Sequence, residues 1–264
     1  MGMNPVSAKR FRSPTGIHLF VKELKSYFFS PIAYVTLTLF LLISGFVFYL
    51  IFSDLVRETA MGMGYQAVNV PQMVVRYYFG WLSTVLLFLV PLITMGVYAE
   101  EKKKGTYELL FTSPLTNLQI ILGKFLANLA FGLILFAGSA LVMVPLFLSE
   151  PPDLIPLLVG YLGLVLFMAA VLSLGNFLSS LTENQIIAAI LTFVLVLLLW
   201  FMNVFTQSGT EGVSGVLAYL SPLRHLEDFQ KGVLDLAHGV YFLSVTVFGV
   251  FLTYRSLESL RWRG

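Results

Sequence analysis

Charged side chains are absent from six long stretches of this chain, and this pattern limits the possible folds more than any other feature. An Asp, Glu, Lys or Arg at the centre of a membrane helix costs roughly 2.5–3.5 kcal/mol, and about 20 apolar residues cross the hydrocarbon core as a helix. The stretches are 26–53, 77–99, 125–149, 154–182, 184–210 and 236–254. Charged residues form only 11% of the chain, whereas soluble domains contain roughly 25%. The sequence therefore predicts an all-α, polytopic membrane protein.

Six transmembrane helices are predicted within a single domain covering residues 1–264. A helix is the open-chain form that satisfies all its backbone polar groups inside a bilayer. The predicted spans are about 31–53, 77–99, 119–148, 154–178, 186–206 and 236–255. A further uncharged stretch, 212–223, is too short to span and contains Gly212, Gly215 and Pro222. We expect it to form a short interfacial or re-entrant element.

Lysine and arginine are distributed unequally between the two predicted faces of the membrane. Six spans place both termini on one side, together with the loops 100–124 and 179–185. Twelve of the sixteen basic residues fall on that side, namely Lys9, Arg10, Arg12, Lys22, Lys25, Lys102, Lys103, Lys104, Lys124, Arg255, Arg261 and Arg263. The positive-inside rule then predicts that both termini are cytoplasmic.

Motifs for catalysis, metal binding and nucleic-acid binding are not found in the sequence. The chain has no cysteine, its net charge is only +2, and Gly123-Lys124 is followed by Phe125 and does not belong to a P-loop. No carboxylate pair lies within a span. His225 and His238 share a predicted outer loop with several charged residues, and either a metal site or a solvated loop surface would account for them. We predict that the chain is not an enzyme.

The middle of the predicted spans contains no ionisable group that could provide energy for transport. Proton- or sodium-driven transporters normally have such a group, or a broken helix, at the middle of the membrane. The polar residues here are hydroxyls and amides, such as Asn128, Ser139, Ser173 and Asn176, whose usual role is hydrogen bonding between helices. A transporter of this composition would need energy from outside the bilayer.

An amphipathic helix is predicted at 15–29, before the first span. Ile17, Phe20, Val21, Leu24 and Phe28 recur at helical spacing, with most polar residues on other faces. Such a helix lies in the membrane interface. It would either anchor the chain to anionic headgroups or transmit motion from a cytoplasmic partner into the first span.

The cytoplasmic loop 100–117 has more internal structure than a simple connection. Gly105 interrupts a charged run, Thr106 can cap a following helix, and Pro114 ends that helix because it disfavours helical geometry at the preceding residue. The helix would present Leu109 and Leu110 beneath the membrane. Exposed apolar residues of this kind form a docking surface, although a positive-inside stop signal with side chains in the headgroups would look similar.

Four segments in the same order resemble the ABC-2-type permeases, and particularly their gliding-motility-type subfamily. The first is 22–34, which is similar to the start of these permeases. The loop 100–114 matches the pattern E-E-[KR]-x-x-G-T-x-E-L-L-x-[TS]-x-P. The other two are 179–185 and the run from Ser221 through His225, Phe229 and Gly232 into 241–243. The resemblance covers roughly residues 21–254.

The resemblance implies a subunit of a larger machine in a prokaryotic cytoplasmic (inner) membrane. Two permease halves, as a homodimer or heterodimer, would form the pathway, and two copies of a separate cytoplasmic ABC ATPase would use ATP and magnesium. The loop would be the coupling helix, with the ATPase-coupling residues Glu100, Glu101, Gly105, Thr106, Glu108, Leu109, Leu110, Ser113 and Pro114. The amphipathic helix would be the connecting helix, with Lys22, Glu23, Lys25 and Phe28 as its site residues.

Three hypotheses for function follow. The first is a permease, with export implied by the family. The second is ATP-driven transmission of force or conformation across the membrane, as in a gliding or maturation complex, without movement of a solute. The third, an intramembrane enzyme, lacks a catalytic cluster in the sequence. The sequence identifies no substrate.

Overall fold

The computed structural model describes residues 16–60, 70–106, 115–149, 151–202 and 213–261. Within these ranges all regular elements are helices, which confirms the predicted fold class. In chain order the helices are α1 (Gly16–Phe29), α2 (Pro31–Ala60), α3 (Val70–Thr94), α4 (Ala99–Lys103), α5 (Asn117–Val142), α6 (Val144–Ser149), α7 (Leu154–Leu181), α8 (Gln185–Phe201), α9 (Val213–Leu220), α10 (Pro222–Gln230) and α11 (Leu236–Arg261).

Among the described residues, five segments are long and apolar enough to cross a membrane. They are α2, α3 continued through α4, α5 continued through α6, α7 and α11. A sixth apolar helix, α8, has 17 residues and falls in the predicted span 186–206, whose last residues lie outside the described ranges. The expected short element at 212–223 contains α9, which has 8 residues.

Side-chain caps fix where several helices begin. Thr116 and Gln119 form a reciprocal capping box at the start of α5, which satisfies two backbone donors that have no partner inside the helix. Asn184 accepts a hydrogen bond from the amide of Ile186 at 2.9 Å and so caps α8. At the α1–α2 boundary, Pro31 is the first residue of α2, a position where a missing N–H has no cost.

Helix α7 is the centre of the bundle. It contacts α3, α4, α5, α8, α10 and α11, and its contact with α11 is the most extensive between any two of the described helices. Gly249 of α11 makes this close approach possible, because a Cβ atom there would lie 2.8 Å from the backbone carbon of Ser173. In α2 and in α11, only 22% of the most apolar 18-residue segment is buried inside the protein, compared with 67% in α7. The outer faces of α2 and α11 are therefore available to lipid or to another subunit.

The two ends of the bundle are built differently. At one end, which we call the α4 end, α1 and α4 pack on the start of α5 and the end of α7. At the other, the α10 end, α10 packs on α7, α3 and α11. The sequence predicts that the α4 end faces the cytoplasm.

Candidate functional site

A break in the second span separates α3 from α4 and is held in place by a serine of α7. The hydroxyl of Ser179, which is fully buried, accepts hydrogen bonds from the amides of Tyr98 at 3.2 Å and Ala99 at 3.3 Å. It donates to the carbonyl of Met95 at 3.1 Å. Ser179 thus satisfies backbone groups at the start of α4 that a helix terminus leaves without partners. The start of the predicted coupling loop is fixed to the central helix.

The side chain of Lys102 makes a second connection between α4 and α7. Its ammonium group donates a hydrogen bond to the carbonyl of Ser180 near the end of α7, where the helix dipole favours a cation. Ser180 in turn donates to the hydroxyl of Ser256 in α11 at 2.8 Å. These contacts join α4, α7 and α11 at one level of the bundle.

Gly105 ends α4 in a left-handed backbone conformation. Its φ is +66°, the amide of Thr106 donates to the carbonyl of Glu101 at 3.1 Å, and the amide of Gly105 donates to the carbonyl of Lys102 at 3.1 Å. This pair of bonds defines a Schellman motif, in which glycine is favoured because other residues are strained at positive φ. The predicted role of Gly105 as a break in the charged run therefore has a local structural basis.

The centre of the α4 end is a buried lysine that binds two carboxylates from different helices. Lys124 of α5 is 2% exposed. Its ammonium nitrogen lies 2.7 Å from a carboxylate oxygen of Glu101 on α4 and 3.2 Å from one of Glu23 on α1. It also lies 5.7 Å from the ring centre of Tyr98, within the range of a cation–π contact. We call Glu23, Glu101 and Lys124 the ionic junction.

Burial makes the ionic junction sensitive to the position of each partner. Removing one member of a buried ion pair typically costs 3–5 kcal/mol, because the remaining charge has no partner. The two carboxylates outnumber the single cation, so each depends on Lys124 for compensation. Movement of α4 or α1 relative to α5 would break these contacts, and the three helices are therefore expected to move together.

Helix α1 packs on α5 through a face that begins at Leu19. Leu19 is buried and lies against Gly123, where an added Cβ would be 3.1 Å from the Leu19 side chain. Glu23 and Tyr27 continue this face at helical spacing. Ile17, by contrast, is 70% exposed, whereas Leu24 packs against the core and Phe28 contacts Phe131 of α5 edge-on. The location of Ile17, Phe20, Val21, Leu24 and Phe28 in the membrane interface stays a prediction, and the exposed Ile17 and Val21 are free to contact lipid.

A chain of buried polar side chains continues from α1 into the bundle one turn beyond Lys124. Tyr27 donates a hydrogen bond to the side-chain oxygen of Asn128 at 2.5 Å, and the Asn128 amide donates to Asn176 of α7 at 2.9 Å. Both asparagines are almost completely buried. The predicted interhelical role of Asn128 and Asn176 is confirmed. The ring of Tyr27 also stacks on Phe131 at 5.1 Å, so α1 has both polar and apolar contacts with the bundle.

A cleft of about 770 Å³ opens beside the ionic junction between α1, α2, α3 and α5. Its apolar wall includes Ala33, Ile93 and Phe131, and its charged rim includes Lys22 and Lys104. Thr106 and Leu115, which flank the residues 107–114 outside the described ranges, also line it.

The predicted site residues divide into those that the structure describes and those that it does not. Glu100 forms an ion pair with Lys104 at 2.5 Å, while Glu101, Gly105, Thr106 and Glu23 belong to the contacts above. Lys22 and Lys25 are exposed on α1. The remaining predicted coupling residues, Glu108, Leu109, Leu110, Ser113 and Pro114, lie outside the described residues.

Lys124 and Ser179 are the important residues that the sequence interpretation missed. Lys124 was counted among the flanking cations of the predicted cytoplasmic face, although it lies inside α5. Lys124 falls within the predicted span 119–148, and the capping box at Thr116 and Gln119 is the sequence signal that places the helix start before it. No local signal indicates that Ser179 would cap a distant helix, because that contact depends on packing.

The histidines at the α10 end form neither of the two arrangements that the sequence left open. Among the described residues there is no group of three or more His, Cys, Asp or Glu side chains that could hold a metal ion. His225 is 2% exposed, and its ring nitrogens face His238 and a backbone carbonyl. A solvated loop surface is therefore also wrong for His225.

Comparison with known proteins agrees with a transporter. A family model described as ABC-2 type transporter matches residues 17–229, a range that includes the ionic junction, Ser179 and most of α10. The chain belongs to the ABC-2 type transporter family. The match covers most of the described bundle, and it supports a membrane permease and not an enzyme.

Two curated relatives of this ABC-2 permease are each named probable multidrug ABC transporter permease YbhR, from Escherichia coli strain K12 and from Escherichia coli O157:H7. Each is 25% identical over 146 residues, which is 54% of this chain and 39% of the relative. The matched region thus spans well under half the length of the relatives.

Replacing Gly105 with alanine is expected to loosen the end of α4. An L-residue in the left-handed region costs roughly 1–2 kcal/mol, and no neighbouring atom lies within 4 Å of the added Cβ, so backbone strain is the only cost. Hydrogen exchange of the Thr106 amide, which closes the Schellman motif, should become faster. Gly45→Ala is the control, since Gly45 lies inside α2 with open space around its Cβ. Unchanged exchange at Thr106 in Gly105→Ala would contradict the role of the motif.

Proposed function

We propose that this ABC-2 permease is the membrane subunit of an ATP-driven exporter and that the segment from α4 to residue 117 docks on a separate cytoplasmic ATPase. The observation that supports this proposal most directly is the fixation of α4 to three other helices. Ser179 and Ser180 hold it to α7, and Lys124 joins it to α5 and α1. A flexible loop that only connects two spans would not need these contacts.

Movement of the docking segment would reach the bundle through these buried groups. A displacement of α4 would act on α5 through the ion pair between Glu101 and Lys124. The ion pair between Glu23 and the same lysine extends the connection to α1. The hydrogen bond from Ser180 to Ser256 extends the connection to α11. Since separation of buried charges is costly, a displacement of α4 caused by nucleotide binding would move these helices as a group.

The full assembly in this proposal contains two ATPase subunits and two permease halves. The ATPases bind ATP and magnesium, and both termini of the permease lie in the cytoplasm of a prokaryotic cell. The permease lies in the cytoplasmic (inner) membrane. The exposed apolar faces of α2 and α11 would contact lipid or the second permease half, which is either a second copy or a related chain. Exposed Lys22 and Lys25 on α1 suit the anionic surface of the inner leaflet.

Lipophilic small molecules are the first substrate class to test. The YbhR relatives are named multidrug permeases, and the polar residues inside the spans here are mostly uncharged. Export of such molecules would need no fixed charge within the pathway.

Replacement of the apolar docking residue Leu109 with aspartate should separate the permease from its ATPase. The test uses the full chain co-expressed with its cognate ABC ATPase, and it measures both co-purification and the stimulation of ATP hydrolysis. Leu109→Asp and Glu108→Ala should each lower stimulation by about tenfold, which corresponds to a loss of about 1.4 kcal/mol of coupling. Val233→Asp is the matched control, because Val233 is 54% exposed at the opposite end. Full coupling in both docking variants would refute the assignment.

Flux measurements distinguish export from force transmission. Proteoliposomes containing the permease and its ATPase should show ATP-dependent movement of a fluorescent lipophilic dye. Coupled ATP hydrolysis without movement of the dye, or of any other small lipophilic probe, would instead favour transmission of force or conformation without transport.

A further inference from the structure

The hydroxyl of Ser179 occupies the place of a helical hydrogen bond in the second span. In an α-helix each amide donates to the carbonyl four residues earlier, so the amide of Ala99 would normally bond to the carbonyl of Met95. Here Oγ of Ser179 accepts from the Ala99 amide at 3.3 Å and donates to the Met95 carbonyl oxygen at 3.1 Å. A side chain of α7 is therefore inserted between two backbone groups that are partners in a continuous helix, which is an established cause of helix kinks.

The same hydroxyl replaces the helical partner of Tyr98. In a continuous helix the Tyr98 amide would donate to the carbonyl of Thr94, but it donates to Oγ of Ser179 at 3.2 Å. The Thr94 carbonyl accepts instead from the amide of Val97 at 3.2 Å. The regular pattern is present again at Lys102, whose amide donates to the carbonyl of Tyr98 at 3.0 Å. One serine hydroxyl thus satisfies both displaced amides.

The break also provides a backbone acceptor for helix α1. Since the Val97 amide bonds three residues back, its helical acceptor, the carbonyl of Ile93, is available to another donor. The hydroxyl of Tyr27 lies 3.3 Å from that carbonyl oxygen, and its shorter hydrogen bond is to Asn128 at 2.5 Å. Tyr27 would therefore keep its main partner if the Ile93 carbonyl returned to the helix.

A continuous second span would satisfy the same backbone groups as the broken one. The amides of Tyr98 and Ala99 would regain their helical acceptors, and Ser179 would need a new one. Ser173 and Ser180 on the same helix each donate to the carbonyl three residues earlier, at 2.7 and 2.6 Å, and Ser179 can do likewise. Because neither form leaves a buried donor without an acceptor, the exchange avoids the penalty for unpaired polar groups.

Local sequence holds the broken form only weakly. The three contacts of Ser179, at 3.1–3.3 Å, are longer than the usual 2.9–3.0 Å of N–H···O and 2.7–2.8 Å of O–H···O bonds. Pro91, inside α3, has no N–H to donate to the carbonyl of Leu87, which weakens the helix one turn before the break. Gly96, within the break, lowers the preference for a continuous helix. The segment is thus close to a balance between the two forms.

We propose that Ser179 is an exchangeable insert and that the second span alternates between the broken form and a form in which α3 and α4 are one helix. The φ of Tyr98, −121° in the broken form, would become about −63°, and this rotation turns α4 relative to α3. In the transporter this turn would transmit movement of the docking segment into α3. That use rests on the proposed docking, whereas the exchange is a property of the permease alone.

Nuclear magnetic resonance can observe this exchange at one residue of the full chain. The sequence contains a single Tyr-Ala pair, Tyr98-Ala99. Labelling with ¹³C-tyrosine and ¹⁵N-alanine therefore yields one correlation between the Ala99 nitrogen and the Tyr98 Cα, whose chemical shift depends on the backbone conformation of Tyr98. The permease is measured in lipid nanodiscs without an ATPase. A negative result would therefore leave the docking proposal intact, and a failure of docking would not affect this measurement.

Ser179→Ala removes the inserted hydroxyl and should move the Tyr98 Cα signal to the helical range, because the displaced amides regain their backbone acceptors. Ser180→Ala is the matched control. Ser180 is the next residue of α7 and equally buried, and its hydroxyl bonds within α7 and to Ser256 of α11, so the native Tyr98 signal should remain. A folded Ser179→Ala protein with the native Tyr98 signal would overturn the proposal.

Gly96→Ala tests the same equilibrium with Ser179 in place, and it decides the question if Ser179→Ala does not fold. The added Cβ would lie 3.3 Å from Oε2 of Glu100 and 3.7 Å from Nε2 of Gln185, the ends of two flexible side chains. Alanine favours a helix over glycine by about fivefold, so the Tyr98 signal should shift towards the helical range or divide into two. An unchanged signal in Gly96→Ala would mean that the break is fixed, which would overturn the exchange.

Discussion

A Lys124→Met variant is expected to lose most of its ATP-coupled activity and to unfold at a lower temperature than the native permease. The lysine is 2% exposed, and its removal takes away the cation that pairs directly with both Glu23 and Glu101. Loss of one partner of a buried ion pair costs about 3–5 kcal/mol. The effect should appear both in the melting temperature of the purified protein and in the stimulation of the partner ATPase.

Two companion variants separate the ionic junction from a general effect of charge. Lys103→Met changes an exposed lysine of α4 in the same way and should leave the melting temperature nearly unchanged, because surface charges typically contribute only about 0–1 kcal/mol. Combining Lys124→Met with Glu23→Gln and Glu101→Gln removes the uncompensated charges and should recover much of the lost stability. If Lys124→Met alone retained native stability and coupling, the ionic junction would not connect α4 to the bundle.

Gly249→Leu should destabilise the bundle strongly, because it separates α11 from α7. A Cβ atom at this position would lie 2.4 Å from the Ser173 hydroxyl oxygen and 2.8 Å from the Ser173 backbone carbon. The side chain could rotate away, but the backbone of the central helix could not. Overpacking typically costs about 1–3 kcal/mol and occasionally more, and a leucine against backbone should reach the upper part of this range. Thermal unfolding in detergent measures the loss.

Gly239→Leu is the control on the same helix. Its added Cβ would meet no atom within 4 Å, so the substitution has the same chemistry without the collision. Equal melting temperatures for the two variants would show that the crossing of α7 and α11 is looser than the distances indicate.

The amphipathic helix and the coupling loop show which structural features can be predicted from the local sequence pattern. The sequence predicted a helix at 15–29, and α1 occupies Gly16–Phe29. It did not predict the packed face, because a helix with apolar residues on several sides can meet lipid with one side and protein with another, and composition alone does not distinguish the two solvents. Gly105 was predicted to interrupt the charged run, and the structure gives it a positive φ, a conformation that glycine favours as a local property of the residue.

The contact between His225 and His238 at the α10 end also depends on packing and could not be predicted from the local sequence pattern. Two histidines 13 residues apart give no periodic signal, and both a metal site and a solvated loop were reasonable interpretations. Their contact depends on how the short α10 packs against the first turn of α11. Burial of His225 and the stacking of Tyr241 over it are results of that packing.

The sequence by itself determined that this protein lies in a lipid bilayer, that its fold is all-α, and where charged residues can occur. The reason is that the free-energy cost of a charged group in hydrocarbon applies to each residue independently of the fold. Tertiary structure alone decided which charges meet. Lys124, Glu23 and Glu101 are separated by up to 101 residues along the chain, and Ser179 reaches Tyr98 across 81. Contacts over such separations depend on the relative positions of packed helices, which no local preference specifies.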